Sequence, residues 1–322
     1  MVRIGFIGTG NVARLHADGV IQSRHAEMGA VWSRTGAKAR AFADEFGTTA
    51  AGSLEDLLSD DSLDAVCILT DSFSHAEYAT AAIDAGRHVL VEKPLAMDPD
   101  GVAALRERAL QRGVAIIPVH NYVYAEGARR LRHQLSQPRA GRLQSIWALY
   151  NQQHPREFGE PDTTMREVMV HHAYSLLFFA GRPDSVYTTA SNVHFSNPEA
   201  HDQIHIVARY ANGVIATLWG SFAGDDRSAH PWTWMVKLMT TNSGGTLQWD
   251  VIKHADEFLP GWDDAAYADS FFFFHDYVSE RVLTHGELPL STIDDALDAA
   301  CILEAARRSI DTGVTEPVRY RD

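Results

Sequence analysis

The stretch GFIGTGNVARLH, from Gly5 to His16, constrains this chain more than any other. Apolar residues run straight into a glycine-rich turn and then into a helical pattern, so a buried strand, a tight turn and a helix follow one another. Gly8, Gly10 and Ala13 give the spacing GxGxxA. In that context the first glycine permits the turn, the second lets backbone approach a pyrophosphate, and the small third residue lets helix and strand lie close. Gly8, Thr9, Gly10, Asn11 and Val12 are therefore read as a dinucleotide cradle.

Up to residue 119, short apolar runs alternate with helical segments; VRIGFIG, EMGAVWSR, DAVCILT, HVLVEKP and VAIIPVH are the strands. Strands alternating with helices imply an α/β fold, a doubly wound parallel sheet with both faces covered. From LQSIWALYNQQH onward the pattern changes. HIVARYANGVIATLWGSF and WTWMVKLMTTNSGGTLQWDV are each two alternating strands broken by a turn, as in antiparallel hairpins. The expected division is a dinucleotide-binding domain at 1–119 and an α+β substrate and oligomerisation domain at 120–322. The last helical segment, TIDDALDAACILEAARRSIDTG, has an N-cap at Ser291 or Thr292 and a C-cap glycine at Gly313.

Composition narrows the partners. At 322 residues the chain has room for two cores, and a formal charge of -14 argues against a nucleic-acid backbone or an anionic membrane as partner. Cys67 and Cys301 are the only cysteines and Cys67 sits in an apolar run, so no disulfide framework is indicated and a reducing cytoplasm is expected. The opening MVRIGFIG already reads as structure rather than as a leader, and no apolar run is long enough to span a bilayer.

The end of the second strand bears on which dinucleotide is held. An NAD site places a carboxylate about 20 residues past the turn, on the ribose hydroxyls. Here that place reads WSRTGAK, with no acid. Arg34 can stack on adenine and meet a 2'-phosphate, Ser33 can hydrogen-bond to it, and Lys38 follows one turn later, so NADP(H) is favoured and NAD(H) is the second choice.

Ligands of open parallel sheets gather at the carboxyl ends of the strands, and those ends are polar here. Asp71, Ser72 and His75 follow one strand; Glu92, Lys93 and Pro94 the next; His120, Asn121 and Tyr122 the last. A lysine directly after a buried strand and before a chain-fixing proline is poorly explained as a surface charge.

With these residues in place, the chain resembles the Gfo/Idh/MocA family (glucose-fructose oxidoreductase, inositol dehydrogenase, rhizopine catabolism). The resemblance rests on GFIGTGNVA, ILTDSFSHAEYATAAIDAGRHVLVEKPLA, RAGRLQSI and ALDAACILEAARRSIDTG. It implies a Rossmann domain, then an α+β domain on an open mixed, largely antiparallel sheet, a nicotinamide cofactor, and oxidation or reduction of a sugar, cyclitol or related alcohol. Glu92, Lys93 and Pro94 match the family's EKP element, whose lysine reaches the reacting oxygen; Thr70, Ser72 and His75 match its cofactor-lining loop, with Asp71 where members usually have proline. In TTMREVMVHHAYSLLFFAG, Glu167 takes the position of the family's catalytic Asp and His171 that of its His, while Tyr174 replaces a common Asp.

That segment also has its own physical reading. Thr164 and Glu167 have capping-box spacing, Gly181 ends the helix, and its apolar body predicts burial. Glu167 and His171 share a face by i,i+4 spacing, which suits an imidazole exchanging protons beside an orienting carboxylate. His172 points elsewhere, and no metal-binding spacing is present, so no metal is expected. Phe271 to Phe274 read as core or subunit contact, and Trp232 and Trp234 as sheet packing or a sugar platform. Asn151 and Gln153 share a strand face from which they can bind substrate hydroxyls. The reading is an NAD(P)-dependent oxidoreductase in which Lys93, His171 and Glu167 are catalytic, and Lys93, Tyr122, Asn151 and His171 bind substrate. Gly8 to Val12, Ser33, Arg34, Lys38, Thr70, Ser72, His75, Glu92, Lys93 and Asn121 hold the cofactor. The alternatives are a cofactor-assisted glycosidase of the same fold and a non-catalytic NAD(P) sensor. Covering an open sheet calls for a homodimer or homotetramer.

Overall fold

Val2–Ile7 (β1) is buried along nearly its whole length, as a central parallel strand covered on both faces must be. The computed structural model describes residues 1–224, 232–241, 246–250 and 262–321; for 232, 233, 246–250 and 262–266 only the backbone is described. The chain divides into two compact units, Met1–Ala125 with Ala268–Leu297, and Glu126–Tyr267 with Asp298–Asp322. The first unit thus takes up a late segment, Ala268–Leu297, that a single cut at 119/120 does not include.

In the first unit β1 is followed by α1 (Asn11–Gln22), β2 (Ala26–Trp32), α2 (Gly36–Phe46), the short edge strand β3 (Thr49–Ala50), α3 (Leu54–Leu58), β4 (Ala65–Ile68) and α4 (His75–Asp84). Then come β5 (His88–Glu92), α5 (Pro99–Arg112), β6 (Ile116–Val119) and α6 (Asn121–Tyr124). All pairings are parallel, in the order β3-β2-β1-β4-β5-β6. Strand order therefore reverses between β1 and β4, and the crevice outside their carboxyl ends is where such sheets hold a ligand. Asp98 caps α5 by accepting the Gly101 N–H at 2.8 Å, and Gly113 ends it with φ +68°.

The second unit starts with α7 (Glu126–Leu135) and β7 (Leu143–Gln152). A π turn (Met165–Met169) leads into α8 (Val170–Ala180), followed by β8 (Ser185–Ser191), β9 (Gln203–Arg209), β10 (Ile215–Ser221), β11 (Trp232–Thr240) and β12 (Thr246–Asp250). After α9 (Trp262–Tyr277) and α10 (Ile293–Thr312), the edge strand β13 (Glu316–Pro317) completes the sheet order β12-β11-β7-β10-β9-β8-β13. Only the β7–β10 pair is parallel among these, so the sheet is mixed and largely antiparallel as expected. The β9–β10 hairpin turns at Gly213, φ +89°. The turn between β11 and β12 (242–245) and the Trp232 side chain lie outside the described residues. Trp234 is buried, as are Phe271 and Phe274, whereas Phe272 and Phe273 are half-buried.

Thr292 caps α10 through a reciprocal pair with Asp295: the Asp295 amide donates to Thr292 Oγ1 and the Thr292 amide to Asp295 Oδ2, at 3.2 and 2.7 Å. Gly313 ends the helix with φ +70°. Cys67 and Cys301 are both free and buried. Among the described residues no helix is long and apolar enough to cross a membrane.

Candidate active site

At the end of β1 the Gly8 amide donates to the Trp32 carbonyl at 2.9 Å, with φ at +115°, a conformation glycine tolerates and other residues resist. A Cβ there would stand 2.6 Å from the Leu69 carbonyl oxygen, so the turn closes directly onto the end of β4. Gly10 is the N-cap of α1, offers no capping side chain, and would place a Cβ in open space; no acid lies in the first turn. The orphan amides of this helix start therefore face an open position with no local carboxylate, which suits a pyrophosphate. Thr9 and Val12 are half-buried beside the turn and Asn11 is exposed.

After β2, Ser33 is half-buried and Arg34 and Lys38 are exposed. Arg34 Nη2 lies 3.3 Å from Asp71 Oδ2, the residue that stands where proline is usual. An exposed pair of this kind is worth about 0.2–1 kcal/mol, so a phosphate can displace the carboxylate.

The loops after β4 and β5 are tied together. His75 is 2 % exposed; its Nδ1 lies 2.8 Å from the Pro94 carbonyl oxygen and its Nε2 3.1 Å from that of Thr70. Ser74 Oγ sits 2.8 Å from Thr70 Oγ1, and Ser72 is half-buried. Glu92, buried, accepts the Lys93 amide on Oε2 at 2.9 Å and meets His16 Nε2 on Oε1 at 3.0 Å. Lys93 is half-buried and its bond to Pro94 is cis. The last strand end is more enclosed. Asn121 Nδ2 donates to Ser270 Oγ at 2.8 Å, His120 Nδ1 lies 2.6 Å from Ser291 Oγ, and Tyr122 is 3 % exposed. Burial pushes the His120 imidazole down to about 3.

In the second unit the expected capping box is not formed. Thr164 Oγ1 donates to the His201 carbonyl at 2.5 Å and makes no helix cap, because the segment opens with the π turn rather than an α-helical one. Glu167 lies on that turn and His171 on the α-helix beyond it, so the 3.6-residue periodicity behind the i,i+4 reading is broken between them. The group seen at His171 Nδ1 is Tyr174 Oη, 2.5 Å away, with both side chains buried. The Glu167 charge also reaches Tyr150: burial chiefly, and that charge next, push the phenol well above its ordinary range. Tyr150 Oη donates to Gln152 Oε1 at 2.6 Å, and His154 Nε2 lies 3.2 Å from the same oxygen.

Strand alternation separates Asn151 from this group. The π turn packs on β10 at Gly220, where a Cβ would come within 2.7 Å of Val168 Cγ1, and Gly220 is in register with Tyr150. Tyr150, with buried Ala148 and Ile146, therefore faces the site helix. Asn151 lies on the opposite face, with Trp147 and Leu149, and Gln153 falls beyond the end of β7. His172 packs apart from His171, with Nε2 2.9 Å from the Trp219 carbonyl oxygen, and burial lowers it to about 4.

Tyr174 and Tyr150 were not among the residues read from sequence as site groups; in the sequence Tyr174 stands out only as the replacement of a common Asp. His16 was missed because its partner Glu92 is 76 positions away.

Residues 2–120 match the sequence model of an oxidoreductase family with an NAD-binding Rossmann fold, and residues 128–240 match the Gfo/Idh/MocA C-terminal domain. A D-xylose 1-dehydrogenase (NADP(+)) of Haloferax volcanii is 28% identical, covering 96% of this chain and 97% of its own. A 1,5-anhydro-D-fructose reductase of Ensifer adhaerens is 28% identical over 69% of this chain and 70% of its own. The crystal structure of a myo-inositol dehydrogenase from Corynebacterium glutamicum superposes with a TM-score of 0.84 at 18% identity, covering 100% of both chains. With both family domains matched in order, and a dinucleotide turn after β1 and an EKP element after β5 of one parallel sheet, the chain belongs to the Gfo/Idh/MocA family of NAD(P)-dependent oxidoreductases.

Proposed function

We propose that the protein interconverts a hydroxyl and a carbonyl on a sugar, cyclitol or related polyol, with NADP(H) preferred. The observation that carries this reading is the junction after β4 and β5, where His75 bridges Thr70 and Pro94 and Glu92 holds the Lys93 amide. It presents Lys93 at the end of β5, two strands from the β1 end that carries the Gly8–Gly10 turn. The sugar class comes from the named relatives, D-xylose dehydrogenase and anhydrofructose reductase. Bound nicotinamide supplies the hydride donor or acceptor.

Gly8 to Val12 hold the pyrophosphate, and Ser33, Arg34 and Lys38 the 2'-phosphate; the absence of an acid after β2 supports the NADP(H) choice. Thr70, Ser72 and His75 line the cofactor. Lys93 binds the substrate oxygen and stabilises charge developing on it. His171 exchanges the hydroxyl proton through Nε2, since Nδ1 is engaged by Tyr174, which orients the ring in the role expected of Glu167. Tyr150 and Gln152, rather than Asn151, share the face of the site helix and are the better candidates for substrate hydroxyls. Trp147, Thr217, Val207 and Tyr187 make one cross-strand row on the other face, and Trp147 and Tyr187 are exposed. A second copy of the chain is the occupant we favour for that face.

A screen of sugars, cyclitols and dihydrodiols with each cofactor, following nicotinamide absorbance, tests the assignment. Turnover on a polyol, faster with NADPH or NADP, supports it; cofactor binding with no turnover on any alcohol or ketone overturns it.

A further inference from the structure

Behind the Lys93 turn, within the first unit, four groups from distant parts of the chain form one file. His275 Nε2 on α9 is 2.7 Å from His16 Nδ1 on α1. His16 Nε2 is 3.0 Å from Glu92 Oε1, and Glu92 Oε2 accepts the Lys93 amide at 2.9 Å. Both imidazoles are wholly buried and Glu92 is 6 % exposed. Helix packing brings the file together: a Cβ on Gly19 would stand 2.8 Å from the Phe272 nitrogen, so α1 and α9 approach backbone to backbone, and Ser23 Oγ donates to Asp276 Oδ1 at 2.8 Å. Phe271 packs on the His16 ring at 4.7 Å between centroids and closes the file off from water.

Proton bookkeeping gives the file a direction. The Lys93 amide can only donate, and a carboxylate can only accept, so His16 must carry its proton on Nε2 to donate to Oε1. An N–H at His275 Nε2 selects the His16 tautomer that leaves a lone pair at Nδ1. Burial holds His275 well below the ordinary imidazole range, so its ring is neutral. The opposite tautomer of His16 would set a lone pair against the Glu92 carboxylate.

Cys67 Sγ lies 3.8 Å from His16 Nδ1, and the two nitrogens and this sulfur fall within 4.8 Å of one another, which is also the make-up of a soft-metal site. The 2.7 Å separation decides between the two. Nitrogens bound at ~2.0–2.1 Å to one tetrahedral ion stand roughly 3.3 Å apart. Two nitrogens at the shorter distance share a proton.

We infer that His275 is a positioning residue for Lys93: it fixes the tautomer of His16, which orients Glu92, which holds the backbone from which the Lys93 side chain leaves the sheet. This rests on the assignment of Lys93 to the reacting oxygen. It also gives the late segment Ala268–Leu297 a role at the site, through a residue 259 positions from its hydrogen-bond partner.

Two measurements test it, and the first needs no activity. Nitrogen-15 NMR of histidine-labelled protein, with substitutions for assignment, should show both rings neutral and protonated at Nε2. A His16 ring protonated at Nδ1 overturns the proposal. So does zinc or copper bound at one equivalent and lost in His275→Gln, which would make the trio a metal site. The second is kinetic. Asn at position 275 is too short to reach His16, whereas Gln presents an N–H near the place of Nε2. His275→Asn should lower kcat by roughly 10- to 100-fold, as small misplacements of catalytic groups do, with cofactor affinity kept, and His275→Gln should recover most of the loss. Equal rates for the two variants overturn the proposal, and so does a further loss when His275→Asn is added to Lys93→Met. If Lys93→Met alone keeps full kcat, it is the Lys93 assignment that fails, whereas the NMR result stands or falls by itself.

Discussion

At the loops after β4 and β5 of the first unit, His75 and Glu92 grip main chain, whereas His171 on the site helix of the second unit grips a side chain. Glu92 holds an amide and His75 faces two carbonyls, so these loops keep their course whatever the exposed side chains beside them become. His171 meets a phenol, and Tyr150 an amide side chain that also receives His154. Side-chain pairs of this kind lose their geometry when one partner changes by a single atom. The difference suggests a division of labour: a backbone-anchored side, proposed to hold the cofactor, that keeps its course when the side chains beside it change, and a side, proposed to bind substrate, that changes with its partners.

The largest expected effect lies on the substrate side. His171→Ala should lower single-turnover hydride transfer by ~10²–10⁴-fold, the usual cost of losing a positioned proton-transfer group, with cofactor binding intact. Turnover at the parent rate would return His171 to the core and collapse the comparison.

Next is Lys93→Met, which keeps length and removes charge. A group that acts on charge developing in the transition state should cost ~10²–10³-fold in kcat while KM moves little. Normal kcat with a raised KM would make Lys93 a uniform binder, and loss of cofactor would make it a cofactor ligand.

These two residues also mark what a sequence can disclose. The Gly8–Gly10 turn and Glu92–Pro94 are legible because each is a contiguous motif whose geometry is set by neighbours in the chain. Tyr174 at His171 Nδ1 was not legible, since i,i+4 spacing presumes 3.6 residues per turn and the π turn at Met165–Met169 breaks that count. Asn151 shows the limit of alternation, which fixes that it opposes Tyr150 but not which face the helix covers. His16 and His275 were out of reach because only the packing of α1 on α9 joins them.

Acid should weaken both units, by a third mechanism. His120 and His172 are held by burial at about 3 and about 4, below the ordinary 6.5. Between those values and 6.5 the unfolded chain binds protons that the folded one does not, so stability is full above pH 6.5 and falls as pH drops. The loss is roughly tenfold in the folding constant per pH unit for each imidazole. Denaturant midpoints from pH 7 to 4.5 check this, and His172→Gln should flatten the fall; an unchanged slope would show that His172 does not carry it.

Smaller still is Tyr174→Phe, which deletes the oxygen facing His171 Nδ1. A ring that loses its orienting partner but keeps its place should slow hydride transfer roughly tenfold. Glu167→Gln should do less, and shift the pH–rate profile through its charge. If Glu167→Gln is the more damaging, the carboxylate orients the ring after all and the side-chain pair at Tyr174 is packing.

The mildest test returns to the cofactor side, at the exposed Arg34–Asp71 ion pair. Arg34 meets Asp71 at 3.3 Å across two strand-end loops, so Asp71 competes with a 2'-phosphate for the same guanidinium. Arg34→Ala should weaken NADPH more than NADH. Asp71→Asn should act in the opposite direction, because it removes both the competing partner and a negative charge near the phosphate. An exposed pair is worth about 0.2–1 kcal/mol, so the gain in NADPH affinity should be no more than about fivefold, and 0.5 M salt should shrink it. In the Arg34→Ala background Asp71→Asn should retain only the smaller, through-space part. Fluorescence titrations of both nucleotides against the four proteins separate these effects. Equal losses of NADPH and NADH in Arg34→Ala would mean that the guanidinium stacks on adenine, which both cofactors share, and that preference between them is set elsewhere.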